Sequence, residues 1–312
     1  MKNFIKFKFI FFVCIFIAGH SFVACNKDDV IIVDDPATPP SQGEPESPEI
    51  KLPYSVIEYM PAPGQYINET QSGFDKITSM VEACTQVQKR FSENLYVSLG
   101  SWGGYIIVKF SESIKNKGNF DFSISTNSFD TSSEAGIVWV MCDANGNGKP
   151  DDVWYELKGS YFEQEGYQRN FWVTYYRPEA KGDTEWIDSE GNTGIVNWMG
   201  SYHSQDYYYP TWIEKDSYTL YGSKLPQQAI QNPETGIWSN LPFAWGYADN
   251  FGEDFNSENH RNYFSLSNAV DSEGDSVDLT EIHFIKVQSA IMGSSGWLGE
   301  ISTEICGFFS EN

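Results

Sequence analysis

Apolar positions along this chain fall into two periods. Between residues 74 and 91, Phe74, Ile77, Val81, Cys84, Val87 and Phe91 recur at steps of three and four. That spacing predicts one amphipathic helix, with Ser72 placed to cap its start. Beyond it the period shortens towards two. Residues 95–100, 105–110, 120–129, 171–177, 184–187, 218–221, 283–287 and 300–309 read as strands, separated by turns rich in Gly, Asn and Asp. Residues 54–69, with Pro61, Ala62, Pro63 and Gly64, read as an irregular lead-in. Short, regularly spaced strands predict a mostly β protein, a single jelly-roll-like β-sandwich with one short N-terminal helix and long aromatic loops. No internal repeat and no second core pattern is visible, so residues 53–312 count as one domain.

The densest chemistry lies at the centre of that pattern. An apolar run, Ile137 to Met141, and a second run, Val153 to Leu157, flank Asp143-Ala144-Asn145-Gly146-Asn147-Gly148-Lys149-Pro150-Asp151-Asp152. Run, turn and run predict a β-hairpin whose loop is crowded with oxygen donors. Calcium takes six to eight oxygens, and a D-x-N-x-N-G-x-x-D loop can offer them from positions 1, 3, 5, 7 and 9. Here those are Asp143, Asn145, Asn147, the Lys149 carbonyl and Asp151. The acid expected at position 12 is replaced by Trp154, which leaves Asp152 or Glu156 as substitutes. An affinity near ~1 mM, typical of extracellular modules, gives such a site a structural role. The other reading is a plain hairpin turn built on Asn-Gly pairs.

The start of the chain reads as an export signal. Lys2, Lys6 and Lys8 precede an apolar run of about 11 residues, from residue 9 to 19, too short to span a bilayer. It ends in Phe22-Val23-Ala24-Cys25, which resembles a bacterial lipobox except that Phe22 stands where leucine is usual. The resemblance implies cleavage after residue 24 and acylation of Cys25, anchoring the chain in outer-membrane lipid. Asn26-Lys27-Asp28-Asp29 is similar to the surface-export signal of Bacteroidota lipoproteins, which implies display on the outer leaflet. Residues 25–52 are rich in proline and acid and read as a semi-extended tether.

Composition narrows the partners. The formal net charge is −23, and loss of the leader removes three lysines and no acid. Such a surface repels nucleic acid and anionic headgroups. Within the domain, Cys84, Cys142 and Cys306 are an odd set that allows at most one disulfide, or three thiols. Aromatics make up 16% of the chain, enough to supply both a core and a ligand face. Two loops concentrate them. Residues 198–212 place six aromatics, Tyr208 and Trp212 among them, around His203 and Asp206. Residues 238–263 combine Trp245, Tyr247, Asp249, Asn250, Asp254, His260 and Arg261. Aromatic faces with a few polar groups suit a sugar or a flat macrocycle. They serve equally to cap the ends of a sandwich. The candidate ligand contacts are His203, Tyr208, Trp212, Trp245, Tyr247, Asp249 and Asn250.

Several segments together resemble a known family. They are residues 58–69 (EYMPAPGQYINE), 98–110 (SLGSWGGYIIVKF), 140–160 (VMCDANGNGKPDDVWYELKGS), 173–178 (VTYYRP), 242–250 (PFAWGYADN) and 284–307 (FIKVQSAIMGSSGWLGEISTEICG). The chain is similar over nearly the whole domain to Bacteroidota cell-surface lipoproteins of the PKD-like type. It differs in carrying no further immunoglobulin-like repeat. Members of that family are often encoded beside outer-membrane corrinoid transporters. The resemblance therefore implies a part in vitamin B12 (cobalamin) acquisition with a TonB-dependent transporter, and no ligand contact carries over from it.

Three classes of function follow. The first is a non-enzymatic module that captures a nutrient at the cell surface, with corrinoid the leading ligand and glycan the alternative. A glycan binder needs aromatics spaced on one flat face, and a corrinoid binder a wider cleft with polar groups for its amide arms. The second is a glycosidase, which needs two carboxylates roughly 5 to 10 Å apart. No G-x-S-x-G, H-E-x-x-H or phosphate loop occurs, and His203, His260 and His283 do not have metal-ligand spacing. The third is an adhesin, which the lack of repeats disfavours.

Overall fold

Alternating apolar positions bury one face of each strand, and here they do so in stacked antiparallel sheets. The computed structural model describes residues 52–311, which belong to one compact unit. The leader, Cys25 and the tether up to residue 51 lie outside the described residues. The strands in chain order are β1 (Tyr54–Met60), β2 (Val97–Ser98), β3 (Tyr105–Lys115), β4 (Phe122–Thr126), β5 (Gly136–Met141), β6 (Trp154–Leu157), β7 (Gln168–Tyr176), β8 (Thr184–Asp188) and β9 (Thr193–Val196). They continue as β10 (Ser217–Lys224), β11 (Ala229–Gln231), β12 (Trp238–Asn240), β13 (Phe255–Asn256), β14 (Arg261–Phe264), β15 (Ala269–Val270), β16 (Glu281–Ser289) and β17 (Glu304–Ser310).

A six-stranded sheet runs β1-β3-β16-β5-β6-β15 and a five-stranded sheet runs β13-β14-β4-β17-β2. The protein is mostly β, consistent with a sandwich as expected, and among the described residues no sheet closes into a barrel. Ile106, Val108, Val138, Val140, Ile285 and Val287 point inward from the first sheet, and Phe122, Ile124, Ile305 and Phe308 from the second. Tyr54 joins the two layers. Its ring meets Phe308 edge-on at 5.4 Å, and its hydroxyl accepts the Phe308 N–H at 3.3 Å. A four-stranded sheet, β10-β7-β8-β9, packs through Phe171 against Trp102, with ring centroids 4.9 Å apart. Gln288 of β16 ties it down by donating to the carbonyls of Gly103 and Tyr221 at 2.8 and 2.9 Å.

Two expectations are corrected. The lead-in is not wholly irregular, because Tyr54–Met60 forms edge strand β1 on β3. A bulge between Val56 and Glu58 shifts its register and breaks the alternation that would mark it. The helix, α1 (Met80–Ser92), starts later than the apolar spacing suggests. Ser79 caps it, accepting the Glu82 N–H at 3.2 Å, and the Glu82 carboxylate turns back to the Thr78 N–H and hydroxyl at 2.8 Å. Ser72 instead donates to the Glu69 carbonyl at 3.1 Å. Phe74, ahead of the helix, wedges between Tyr59 and Trp212. Cys84, Cys142 and Cys306 are free thiols.

Candidate functional site

The predicted hairpin forms: Met141 pairs with Trp154, Val140 with Tyr155 and Trp139 with Glu156. Its loop is ordered by its own acids and amides. Asp143 Oδ2 accepts the Gly148 N–H at 2.9 Å, Asn145 Oδ1 the Asn147 N–H at 2.9 Å, and Asn147 Oδ1 the Lys149 N–H at 2.7 Å. Gly148 takes a φ of +74°, which glycine adopts without a Cβ penalty. Asp151 gathers the amide nitrogens of Asn145 and Asn147 at 3.2 and 3.0 Å. The Asp143 side chain is only 9% exposed, and its Oδ1 is buried with no hydrogen-bond partner. Neither substitute for the twelfth ligand is free. Asp152 accepts the Ala144 N–H at 3.0 Å. Glu156 is buried and takes hydroxyls from Tyr167 at 2.5 Å and Ser223 at 2.6 Å. Among the described residues no three His, Cys, Asp or Glu side chains are placed to hold a metal ion, so a cation here would draw on amide and carbonyl oxygens.

The two aromatic loops do not form one ligand face. Residues 198–212 fold back onto the lead-in. Asn68 donates to the Tyr209 carbonyl at 2.7 Å and accepts the Thr211 N–H at 3.0 Å, and Gln205 donates to the Gln65 carbonyl at 2.6 Å. Tyr208 and Trp212 are buried as a result, with Tyr208 accepting the Met199 N–H. His203 is held between Gln65, at 3.1 Å, and Glu69, at 3.4 Å. In the second loop Tyr247, Asp249 and Asn250 are buried. Asn250 clasps both backbone groups of Phe243 at 2.8 and 2.9 Å, Asp249 accepts the Glu304 N–H at 2.8 Å, and Tyr247 accepts the Tyr161 N–H at 3.1 Å. Tyr208, Tyr247, Asp249 and Asn250 are held inside the fold rather than at a ligand face, while Trp212, although buried, still forms part of a groove wall. The polar side-chain groups of Tyr208, Tyr247, Asp249 and Asn250 are hydrogen-bonded inside the fold, whereas the Trp212 indole N–H is buried without a partner among the described residues.

Trp245 does reach a cleft. Together with Phe120, Lys158, Glu253, Asp254 and Tyr263 it lines about 280 Å³. Gly246 makes the turn beside it, with a φ of +92°, where a Cβ would sit 2.3 Å from the Gly159 Cα. Its N–H donates to Asp254 at 2.6 Å. Burial outweighs that bond and pushes the Asp254 carboxyl up to about 6. A second acid group lies deeper. Glu134, Asp249, Glu300 and Glu304 are shut away near one another, and burial raises each above the ordinary carboxyl range, Glu300 to about 8.

A wider groove opens on the outer face of the six-stranded sheet, with a volume of about 910 Å³. Its lining includes the aromatics Tyr105, Trp154, Trp212, Tyr218 and Tyr221 and the charged Glu58, Glu214, Lys215 and Lys286, and Pro150 of the hairpin loop also lines it. Tyr105 donates its hydroxyl to Glu58 at 2.6 Å. Tyr221 is 65% exposed, so an aromatic face stands open to solvent. The Lys286 amine lies 5.1 Å from the ring centroids of both Tyr105 and Trp139. Burial lowers its pKa to about 8, against the opposing pull of Glu58 and Glu156. Of the groove residues only Trp212 stands out in the sequence as a ligand contact. The other available signal is one charge among apolar neighbours, Lys286 in His283-Phe284-Ile285-Lys286-Val287.

No protein-family model matches the chain, and no curated protein matches it either.

Proposed function

We propose that this chain is a surface-displayed, non-enzymatic capture module whose groove takes a corrinoid and passes it to an outer-membrane transporter. The observation that carries this reading is the groove itself. Ligand sites usually enclose about 300–1,000 Å³ and combine aromatic walls with a few convergent polar groups. The groove, at about 910 Å³, lies near the top of that range, and the Trp245 cleft, at about 280 Å³, falls just below it. A macrocycle with amide arms needs the larger volume, apolar faces for its body and polar groups at the rim. Tyr105, Trp154 and Tyr221 supply the faces, and Glu58 and Lys286 supply polar ends.

The Trp245 cleft supports glycan capture as the second reading. It sets Trp245 and Phe120 beside the carboxyls of Glu253 and Asp254, which is the pairing a single sugar ring uses: C–H faces on rings, hydroxyls on acids. The 143–151 loop fits calcium through Asp143, Asn145, Asn147, the Lys149 carbonyl and Asp151. The unpartnered, buried Asp143 Oδ1 is the observation in favour. Bound calcium would supply positive charge that holds the hairpin end rigid at the groove's edge.

Calorimetric titration of residues 53–312 with cyanocobalamin in calcium buffer tests the capture reading. Saturable submicromolar binding is the expected result. Absence of heat, together with binding on a glycan array, would transfer the function to the Trp245 cleft.

A further inference from the structure

We infer that Lys109 is a built-in competitor at the 143–151 loop: its ammonium group is the counter-charge of Asp143 when no calcium is bound, and calcium binds only by displacing it. This rests on the calcium reading of that loop and is independent of corrinoid capture. It gives one side chain, from a different strand, control over the loop's calcium affinity.

The case begins with Asp143. It stands first among the loop's oxygen donors, and its side chain is only 9% exposed. Oδ2 accepts the Gly148 N–H at 2.9 Å, which points the carboxylate into the loop, and Oδ1 is buried with no hydrogen-bond partner. A carboxylate drawn out of water in this way is destabilised unless a positive charge stands near it. Lys149, the base within the loop, acts on Asp151. His283 faces the Asp143 backbone, accepting its N–H at 3.2 Å. Among the described residues the base within ion-pair reach of the Asp143 carboxylate is Lys109, whose Nζ lies 4.0 Å from Oδ2. That distance is too long for a hydrogen bond, so the amine offsets the charge and leaves Oδ1 unsatisfied.

Register shows how far the lysine reaches for this contact. Cross-strand pairing sets Lys109 of β3 beside Phe284 of β16, and Phe284 beside Met141 of β5, just ahead of the loop. Strands lie about 4.8 Å apart, so about 10 Å of sheet separates Lys109 from β5. The lysine crosses that gap over the Phe284 ring, with its amine 5.4 Å from the ring centroid. At the far end, a Cβ on residue 148 would sit 2.6 Å from Nζ. Gly148 therefore leaves room for the ammonium against the loop as well as supplying the φ of +74°. The Lys109 side chain is 32% exposed, which gives it a path into solvent when it is displaced.

Calcium uses the same carboxylate. A divalent ion and an ammonium about 5 Å apart repel one another, even in water-like surroundings, by an amount equal to about tenfold in affinity. Lys109 thus holds the loop together without metal and weakens its hold on metal, which accords with an extracellular-type affinity.

The test titrates melting temperature against calcium chloride on the full chain in detergent, starting from chelator, with sodium chloride as the ionic-strength control. Lys109→Met keeps the apolar stem over Phe284 and removes the charge. Lys109→Gln removes the charge with a different shape, and Lys109→Arg keeps a cation. The expected result is that K109M and K109Q reach half of their calcium response at about one tenth of the wild-type concentration. At calcium ten times the wild-type Kd, their rise in Tm above chelator should exceed the wild-type rise by about 3 °C, and K109R should follow wild type. Each rise is read from the variant's own value in chelator, so a change in basal stability does not enter. A wild type silent to calcium beside a responsive K109M supports the inference equally. Equal or weaker calcium responses in K109M and K109Q, or a K109R that responds as K109M does, would overturn the competitor role and leave the loop a calcium site. No calcium response in wild type or any variant removes the calcium reading, and this inference with it.

Discussion

Glu300→Gln gives the most quantitative check on the interior. Glu300 is 7% exposed, one carboxylate oxygen accepts the Gln65 N–H at 2.7 Å, and the other has no partner. Burial raises its pKa from 4.5 to about 8. The sign follows from linkage. An acid whose folded pKa is raised prefers its protonated form in the fold. Its contribution to stability is complete below pH 4.5 and is lost as the pH rises through about 8. Three units of pH between 4.5 and 7.5, at 1.36 kcal/mol each, correspond to about 4 kcal/mol of destabilisation at pH 7.5. At pH 5 the same account leaves under about 1 kcal/mol. Glutamine keeps an acceptor for Gln65 and removes the charge. Its amide adds a donor without an evident partner, at a pH-independent cost of about 1–3 kcal/mol. The pH-dependent part is therefore the quantity to read: about 3 kcal/mol in favour of the variant at pH 7.5 relative to pH 5. For a domain of this size that is about 6 °C of extra gain in Tm. Thermal melts of wild type and E300Q at the two pH values supply the numbers. The same Tm difference at both would refute a buried, neutralised Glu300.

Three further outcomes are expected. Asp143→Ala with Asn145→Ala should lower Tm by about 3 °C in calcium at ten times its Kd, the loss of about 1.4 kcal/mol of ligand stabilisation; most of that fall should vanish in chelator, and an equal fall in both would remove the metal from the account. Trp212→Ala should cost about 3–5 kcal/mol in urea unfolding, because its ring is packed on Tyr59 and Phe74; a loss under 1 kcal/mol would contradict its burial. Tyr221→Ala should change stability by no more than about 0.5 kcal/mol and weaken cyanocobalamin binding; unchanged affinity would move the ligand out of the groove.

The parts of the fold legible in the sequence are those governed by local rules. Ile137 to Met141 and Val153 to Leu157 flank a loop dense in turn residues, and they form the hairpin as read. Strands β3 and β16 are legible as apolar runs, Tyr105 to Val108 and Phe284 to Val287, buried on both faces near their middles rather than cleanly alternating. Less legible was β1, where a one-residue bulge inverts the facing of every following side chain. The helix start was misplaced because Phe74 and Ile77 match its period, although the Ser79-x-x-Glu82 capping box was there to read. The site was harder still. Burial of Tyr208 and Trp212 depends on Asn68, more than 130 residues away, drawing their loop inward. The groove gathers Glu58, Tyr105, Trp154, Tyr221 and Lys286 from five strands. Each reads in isolation as an ordinary outward strand position; register brings four of them together, and packing of the four-stranded sheet adds Tyr221.

The central claim is that the groove, and not the Trp245 cleft, receives a corrinoid. Hydrogen–deuterium exchange of the domain with and without saturating cyanocobalamin tests it most directly, since binding slows exchange where backbone opening is suppressed. Protection concentrated in residues 105–107, 154–157, 218–221 and 284–288 is the predicted pattern. Protection confined to residues 243–263, or none anywhere, would contradict it.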